Sequence, residues 1–455
     1  MILALPLTEK KDDQAMPAPW ALGMAVLGML ALGVLIGSVT GGYGENAGFP
    51  TVLLEAAAES AEETATPASS GPEPVAAEAA GGEPAPEPAS ASAVPAGAPS
   101  TEAPLLPAPK PEVPLVEEEL PTGLPEVKHV FVVMLQQGGF EETFGKTAKS
   151  AYLGKELPAQ GELLTNYFAV TKGVLANQIA LLSGQGPTPE TAAECPNYGD
   201  VSPGSESSEG QVEGNGCVYP AATKSLPGQL TEKDLKWKAY TQGIEDGAAA
   251  GLPTSCRHPA LGTPDPSQAP TPEDGYLTRR NPFVYFHSIV DGPECAAADV
   301  GLPQLATDLE LKPEKFPALA YVAPDEEQLE QVITEIKDSL AFKDGGLIAI
   351  TSAQAPQEGE DPDESGCCIE PAFPNLPPAG PVAPPTGPVR ESGGGGRVGL
   401  LLLSPFVEAG TTSETYFNHF SLLVTIEELF ELERIGYGAE PALTGFDESI
   451  FNAAG

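Results

Sequence analysis

Residues 128–145, KHVFVVMLQQGGFEETFG, decide the fold. The apolar run at 130–135 is rich in Val and Phe and too short for a helix. It predicts a strand that is buried on both faces, as in a parallel sheet. The polar turn at 136–139 follows at the carboxyl end of that strand, where open α/β sheets place their active sites. The position of a site is therefore predicted, but the first two residues of the turn are the uncharged Gln136 and Gln137.

Around this strand, a folded domain is predicted over residues 126–455. The stretch 163–171 leads into a short helical pattern at 175–183. The alternation of apolar runs with helical patterns predicts an α/β fold with a mostly parallel sheet and no internal repeats. The other β-like runs lie at 237–241, 283–289, 316–322, 346–351 and 398–403, and a further helix is predicted at 420–432.

One more helix is predicted to begin at Pro324-Asp325. Asp325 and Gln328 have the spacing of a capping box, in which a side chain at the start of a helix accepts a backbone hydrogen bond. An apolar stripe follows at helical spacing. Its members are Leu329, Val332, Ile333, Ile336 and Leu340.

The composition of the chain limits the partners it can have. Its 455 residues include 50 glycines and 50 prolines, and the formal net charge is −42. So much proline and glycine cannot all lie in a packed core, which indicates a long linker. The acidic balance argues against nucleic acid and anionic lipid headgroups as ligands, because both need basic patches. Solubility is the simpler explanation of the charge.

The amino-terminal part is predicted to anchor the chain in a membrane. Residues 20–39 carry no charge, and this length spans a hydrocarbon core of about 30 Å. We expect a cytoplasmic tail at 1–18, a transmembrane helix at 19–40 and a disordered Pro/Ala/Glu-rich linker at 41–125. Lys10 and Lys11 precede the span, so the main domain is expected outside the cytoplasm on a single-pass anchor in the cell membrane. A cleaved signal peptide is the alternative.

Six cysteines fit a disulfide framework in such an extracytoplasmic domain. Sequence alone allows 15 pairings. Pairing between neighbours would join Cys195 to Cys217 and Cys256 to Cys295, which leaves the adjacent residues Cys367 and Cys368. Free buried thiols are the alternative.

Five blocks of the chain resemble, in one order, the phosphoesterase family of the alkaline phosphatase superfamily, which includes acid phosphatases and phospholipases C. The resemblance covers most of residues 126–432. It implies an α/β sandwich with a divalent-metal site at the carboxyl ends of the strands and cleavage of phosphate esters by a hydroxyl nucleophile. The blocks are VKHVFVVML…GGFEETFG, LLTNYFAVT…ALLSGQGP, NPFVYFHSI, GLIAITSAQAPQ…CC and YFNHFSLLVTIEELF.

The resemblance also identifies the positions that carry catalysis in active relatives. A Glu-Asn pair ends the first strand, a hydroxyl nucleophile follows in the next block, an Asp-Glu pair ends a later strand, and an Asp-His pair opens the last helix. An Asp-Gly-His-Asp-like segment and a further histidine are replaced here by residues 324–327 and Arg280. The neutral residues at the catalytic positions are Gln136, Gln137, Val174, Ala353, Gln354 and Asn418.

These substitutions remove the chemistry that a divalent metal needs. Metal sites in hydrolases use ionised carboxylates and neutral imidazoles, and valine cannot act as a nucleophile. Only His419 falls on a probable ligand position, and it is expected to be a relic that caps the last helix. No cofactor is therefore expected, and the chain is predicted to be a catalytically degenerate domain that serves as a binding or structural module for an unknown cell-surface ligand.

Two alternatives remain open at this stage. An active phosphoesterase with a rearranged site would use Thr171 or Ser183 as nucleophile and Glu141, Asp325 and His419 as ligands. A surface spacer would need only the acidic linker. Asp325 and Glu141 have simpler roles at helix starts.

The remaining histidines and two basic residues have structural expectations. His129 should satisfy a backbone group, His287 should pack in the core, and His258 should be solvated. Lys172 and Arg280 could form a small anion-binding corner if the fold brings them together.

Overall fold

The computed structural model describes residues 123–359, 362–368, 372–377, 389–390 and 392–453. The predicted tail and membrane span, and the linker up to residue 122, lie outside these residues. Within the described ranges, no helix has the length and apolar character needed to cross a membrane.

The described part of the domain is built on an eight-stranded sheet. Its strands are β1 (His129–Gln137), β2 (Glu162–Leu164), β3 (Trp237–Thr241), β4 (Asp299–Gly301), β5 (Leu319–Ala323), β6 (Gly346–Gln354), β7 (Leu400–Leu403) and β8 (Thr411–Ser413). Their order is β8-β2-β7-β6-β1-β5-β3-β4. All neighbours pair in parallel except β7, which runs antiparallel to both β6 and β2. The predicted α/β fold with a mostly parallel sheet is confirmed.

The sheet is covered on both faces, which explains why β1 is apolar along its whole length. Val130, Val132 and Met134 belong to the core on one face, with helices α1 (Val174–Ser183) and α3 (His419–Leu429). Phe131 and Val133 point to the other face, where they share a core with α2 (Leu329–Asp338). In the predicted stripe of α2, Leu329, Val332, Ile333 and Ile336 are buried.

Shorter elements surround these layers. Paired short strands are Tyr167–Phe168 with Phe417–Asn418, Asn197–Tyr198 with Thr263–Pro264, Ser202–Glu206 with Val212–Asn215, and Gly366–Cys367 with Val389–Arg390. Short α-helices are Phe140–Thr143, Pro189–Ala192, Leu226–Glu232, His287–Val290, Cys295–Ala298, Pro303–Asp308 and Leu340–Lys343. Tyr152–Glu156 is a π-helix, and the 3-10 turns are Pro158–Gln160, Asp246–Ala250, Thr278–Arg280, Pro282–Tyr285, Pro313–Lys315, Glu326–Gln328 and Gly436–Ala439.

Three local predictions are wrong. Residues 283–289 are a 3-10 turn and a short helix, because their β-like aromatic pattern reflects burial rather than pairing. Asp325 makes no side-chain cap at the helix start. Leu340 is 56% exposed, because α2 ends at Asp338 and Leu340 begins a separate short helix.

Disulfides join the neighbours that the sequence pairs. Cys195 is bonded to Cys217, and Cys256 to Cys295. The adjacent residues Cys367 and Cys368 form the third bond.

Candidate functional site

The segments that the sequence assigns to a site meet at the carboxyl ends of β1 and β6. The two strands are parallel, and Gln137 stands in register with Gln354. The Gln354 side-chain oxygen accepts a hydrogen bond of 2.8 Å from the Gly173 amide, which brings in the turn before α1. The His419 Nε2 lies 3.0 Å from the Ala353 carbonyl, which brings in the start of α3. The ends of β1 and β6, the turn before α1 and the start of α3 therefore meet at this edge of the sheet.

Gln136 and Gln137, the last two residues of β1, line a pocket of about 230 Å³. Gln136 is half-buried and Gln137 exposed. The side-chain nitrogen of Gln136 is shielded from solvent and has no hydrogen-bond partner within the described part of the chain. Val174, Gln354 and His419 are not among the described residues that line this pocket. The lining includes Gln136, Gln137, Thr143, Lys149, Arg280 and Glu326.

At the predicted nucleophile position, the start of α1 is closed by side chains from elsewhere in the chain. Val174 is buried, and its amide donates to Glu194 Oε1 at 2.6 Å. The next amide, of Leu175, donates to Glu194 Oε2 at 3.1 Å. With Gly173 bound to Gln354, three consecutive amides have internal acceptors. These are the groups that make helix starts attractive to anions, so an external anion finds none of the three free.

Sequence reasoning missed Glu194 because it lies in a loop beyond the helix that it caps. Burial raises the pKa of its carboxyl, and the two backbone amides and Arg279 oppose that shift. Glu194 has φ of +62°, a backbone conformation that is uncommon outside glycine, and it precedes the disulfide-bonded Cys195. The only sequence signal was an acidic residue beside a cysteine.

The turn before α1 is held by Asn177. Its side-chain oxygen accepts the amides of Val170 at 2.9 Å and Thr171 at 3.1 Å, and its nitrogen donates to the Thr171 and Gly173 carbonyls. Gly173 has φ of +98°, and a Cβ there would lie 3.0 Å from the backbone of Ala192. The turn is therefore a packed structural unit.

The hydroxyls considered as alternative nucleophiles are not equivalent. Thr171 is buried within the turn. Ser183 is the last residue of α1, about 14 Å along the helix from Val174 at 1.5 Å per residue. Its hydroxyl donates to the Ile179 carbonyl at 2.7 Å. Ser183 therefore does not lie beside Val174, the predicted nucleophile position.

At the start of α3 the helix is capped by Asn418 and not, as predicted, by His419. The Asn418 oxygen accepts the Ser421 amide at 3.1 Å, and the Ser421 hydroxyl accepts the Asn418 amide at 3.3 Å. The Asn418 nitrogen donates to the Cys367 carbonyl at 3.4 Å. Asparagine is among the best residues at this position because its side chain satisfies an amide that the helix leaves free.

His419 is fully buried, and both of its ring nitrogens have partners. A carbonyl only accepts, so Nε2 carries the proton and donates to Ala353. Nδ1 then accepts from the Tyr167 hydroxyl at 3.0 Å. Burial lowers the pKa of His419 to about 4, against the opposing effect of the Ala353 carbonyl. The neutral ring connects Tyr167 to Ala353 by hydrogen bonds, and neither of its nitrogens is free to bind a ligand.

The predicted anion-binding corner is wrong, because each of its cations binds an acid. Arg280 pairs with Asp325, and Lys172 pairs with Glu364. Asp325 is therefore committed to an ion pair. Glu141, the other acid proposed as a ligand, lies 3.2 Å from Arg397.

The side chains at the carboxyl edge do not fit a divalent metal. Amide, methyl and guanidinium groups are poor or impossible ligands where ionised carboxylates are needed. Among the described residues, one cluster of three potential donor side chains lies within 4.8 Å, formed by Cys256, Cys295 and Asp299. Its two sulfurs are joined in a disulfide, so it is not a ready metal site.

The other histidines have structural roles. The His129 Nδ1 lies 3.0 Å from the Pro317 carbonyl, as predicted. His258 is exposed, also as predicted, and stacks on Tyr198. His287 is not a core residue: it bridges Asp200 at 2.8 Å and Asp291 at 2.9 Å, and the hydrogen bond that it donates to Asp200 is the largest cause that raises its pKa.

Comparison with known families finds a match in the carboxyl-terminal part of the chain. Residues 351–433 match the family model described as the Phosphoesterase family. This segment contains the end of β6, β7 and α3, and with them Ala353, Gln354, Asn418 and His419. This segment therefore matches the family that the blocks of the sequence resemble. No curated protein matches it at a significant level.

Similar solved structures include three from bacteria. A protein of the alkaline phosphatase superfamily from Vibrio parahaemolyticus is 10% identical, covers 68% of this chain and 67% of its own, and has a TM-score of 0.36. A putative sulfatase from Bacteroides thetaiotaomicron is 10% identical, with 73% and 76% covered and a TM-score of 0.36. The lipoteichoic acid synthase LtaP from Listeria monocytogenes is 12% identical, with 71% and 76% covered and a TM-score of 0.37. TM-scores this low support no conclusion about fold or activity.

Proposed function

We propose that this chain is a membrane-anchored, extracytoplasmic phosphoesterase-family domain that no longer hydrolyses phosphate esters and acts as a binding or structural module. The observation that carries the proposal is the internal closure of the site. The Gln354 side chain accepts from the Gly173 amide, the Val174 amide donates to Glu194, and the Ala353 carbonyl accepts from His419, so these positions take part in contacts that hold the fold together.

Hydrolysis by the family's chemistry needs charge at this edge. A bound metal lowers the pKa of a hydroxyl or water and stabilises charge on phosphoryl oxygens. Val174 has no hydroxyl, and His419 offers no free nitrogen. The side chains at residues 136, 137, 353, 354 and 418 are uncharged.

A binding role would use the pocket next to Gln136. Both cations in its lining are paired with acids, Lys149 with Glu142 at 2.9 Å and Arg280 with Asp325, and Glu326 adds a further acid. The Gln136 side-chain nitrogen is a donor without an acceptor among the described residues. This favours an uncharged, oxygen-rich ligand over a phosphate dianion.

The test is a metal analysis and a phosphate-ester assay on the purified full-length chain, with Mg²⁺, Mn²⁺ and Zn²⁺ each supplied. We expect less than stoichiometric metal and no turnover above buffer. Stoichiometric metal with turnover would overturn the proposal. Loss of that turnover in Thr171→Ala, with retention in Thr171→Ser, would support the rearranged active site instead.

The anchor has its own test. Alkaline carbonate extracts peripheral proteins from membranes and leaves spanning proteins behind. The full-length chain should stay with the membrane, and a variant with two aspartates introduced within residues 20–39 should not, because each charge at the centre of a span costs about 3 kcal/mol. Release of the unaltered chain would contradict the anchor.

A further inference from the structure

A buried carboxyl group lies beside one of the disulfides, away from the site described above. Asp299 is the first residue of β4 and is fully buried. One of its oxygens lies within 4.8 Å of the sulfurs of both Cys256 and Cys295. Its backbone carbonyl accepts the Cys256 amide at 2.9 Å, so the backbone holds the two residues together.

The two carboxyl oxygens of Asp299 differ in their partners. Oδ2 accepts a hydrogen bond of 2.7 Å from Asn281, whereas Oδ1 is buried without a partner among the described residues. A buried carboxylate with an unpaired oxygen is costly, and a proton on the carboxyl relieves that cost. The geometry thus favours a carboxylic acid beside the disulfide.

The groups around Asp299 leave its proton exchangeable near neutral pH. Burial raises the pKa of Asp299 to about 7, and the hydrogen bond from Asn281 and the nearby Cys256 amide oppose the shift. Tyr276 donates to the Arg257 carbonyl at 2.7 Å and stays protonated. The Arg257 guanidinium is occupied by Asp274.

A further acid, from another segment of the chain, lies next to the last residue of β4. The Glu245 carboxyl lies next to Gly301, two residues beyond Asp299, and burial raises its pKa as well.

The two sulfurs of this disulfide differ in exposure. Cys256 is partly exposed, whereas Cys295 is only 2% exposed. An incoming thiolate can therefore reach Cys256, and the sulfur that leaves is the buried Cys295. Cys195 and Cys217 are both fully buried, which makes their bond a matched internal control.

We propose that Cys256–Cys295 is a thiol–disulfide exchange site at which Asp299 supplies the proton for the departing Cys295 sulfur. The thiolate of a small dithiol attacks the Cys256 sulfur, forms a mixed disulfide and breaks the bond to Cys295. The electron pair of that bond goes to the Cys295 sulfur, which takes the Asp299 proton and becomes a thiol.

The second thiol of the reagent completes the reaction. As a thiolate it attacks its partner sulfur, closes the reagent's own disulfide and releases Cys256 as a thiolate. The dithiol loses two electrons, and the protein disulfide gains them. Without the proton from Asp299, the first step would leave a thiolate on a buried sulfur, which apolar surroundings disfavour.

The experiment uses the oxidised full-length chain and dithiothreitol between pH 6 and pH 9. Aliquots are alkylated, and mass spectrometry of the cysteine peptides gives the reduction rate of each disulfide, divided by the dithiothreitol thiolate concentration. At pH 7 we expect Cys256–Cys295 to be reduced at least about tenfold faster than Cys195–Cys217, because only the former has an accessible sulfur and an acid beside it. Equal rates for the two bonds would overturn the proposal.

The pH profile isolates the role of Asp299. The corrected rate for Cys256–Cys295 should fall as pH rises through about 7, because Asp299 loses its proton there. In Asp299→Asn the corrected rate should be lower and flat with pH, whereas Asp308→Asn, which alters another buried aspartate, should keep the bend. A wild-type profile without the bend, or a bend that persists in Asp299→Asn, would overturn the assignment. Unfolding of a variant would be recognised by accelerated reduction of Cys195–Cys217 as well.

Discussion

Helices α1 and α3 both begin at positions where active relatives place catalytic groups, yet their first turns are satisfied in different ways. The start of α3 is capped locally, by Asn418 and Ser421 three residues apart. The start of α1 has no side-chain cap of its own and depends on Gln354 and Glu194, which lie 181 and 20 residues away.

The difference shows two ways in which the buried start of a helix can have its amides satisfied. At α3 an asparagine takes over the capping position with a side chain of the same shape as an aspartate. At α1 the amides of Val174 and Leu175, which at the start of a helix could bind an anion, donate instead to the carboxylate of Glu194. A helix start left with unsatisfied buried amides would be unstable, so these replacements are required by stability alone.

Removal of the long-range cap should have the largest effect. Glu194→Ala leaves the buried amides of Val174 and Leu175 without acceptors, and we expect a loss of about 2–4 kcal/mol in the free energy of unfolding. Urea unfolding under non-reducing conditions measures it. Glu194→Gln keeps one acceptor oxygen, so its free energy of unfolding should lie between those of Glu194→Ala and the unaltered chain. Glu209→Ala, at an exposed position, is the control. If both variants have the same free energy of unfolding, the cap does not stabilise the fold.

A buried glutamate in α3, Glu427, also accepts a backbone amide, and it should make the stability depend on pH. Glu427 is fully buried and accepts the Ile435 amide at 3.1 Å, and burial raises its pKa from 4.5 to about 9. Between these values the native state holds a proton that the unfolded state has lost. The free energy of unfolding should therefore fall as pH rises, by up to about 1.4 kcal/mol per pH unit.

Urea unfolding at pH 6 and pH 8 tests this slope. In Glu427→Gln the slope should be much reduced, and Glu431→Gln, an exposed neighbour, should keep it. A slope that is unchanged in Glu427→Gln would assign the pH dependence to other buried acids.

Loss of the local cap should cost less than loss of the distant one. Asn418→Ala removes the acceptor for the Ser421 amide, and we expect a decrease of about 1 kcal/mol in the free energy of unfolding. Asn418→Ser retains a capping oxygen and should stay close to the unaltered chain. A larger loss in Asn418→Ala than in Glu194→Ala would reverse the comparison between the two helices.

The smallest effect is expected where a hydroxyl is restored. Val174→Ser places a potential nucleophile at the start of α1 but supplies no metal ligand, so phosphate-ester turnover should stay at the level of Val174→Ala. The assay with Mg²⁺, Mn²⁺ and Zn²⁺ measures it. Turnover in the serine variant alone would mean that the edge retains a catalytic environment that its neutral side chains do not reveal.

The inner strands of the central sheet could be predicted because they are apolar runs buried on both faces, whereas the three-residue strands β4 and β8 give no such pattern. β1, β5 and β6 fall where such runs occur, and helix α3 follows its own apolar pattern. Residues 283–289 could not be assigned in this way, since buried aromatic residues give the same pattern in a strand and in a 3-10 turn.

In the candidate site, the neutral replacements were visible from the sequence because the family resemblance marks their positions. Their hydrogen-bond partners were not visible. Arg280 and Asp325 were assigned separate roles, and only the structure shows that they pair with each other across 45 positions.

By itself, the sequence determined the α/β architecture, since this follows from residue type and local spacing. It indicated the pairing of neighbouring cysteines without fixing it, and the family resemblance marked the positions at which acids and a hydroxyl are missing. Only the tertiary structure decided that Glu194 and Gln354 close the start of α1 and that Tyr167 and Ala353 occupy both nitrogens of His419. Apart from that of Glu194, these contacts join residues from 66 to 252 positions apart, and no local pattern encodes which distant side chain will satisfy a buried polar group.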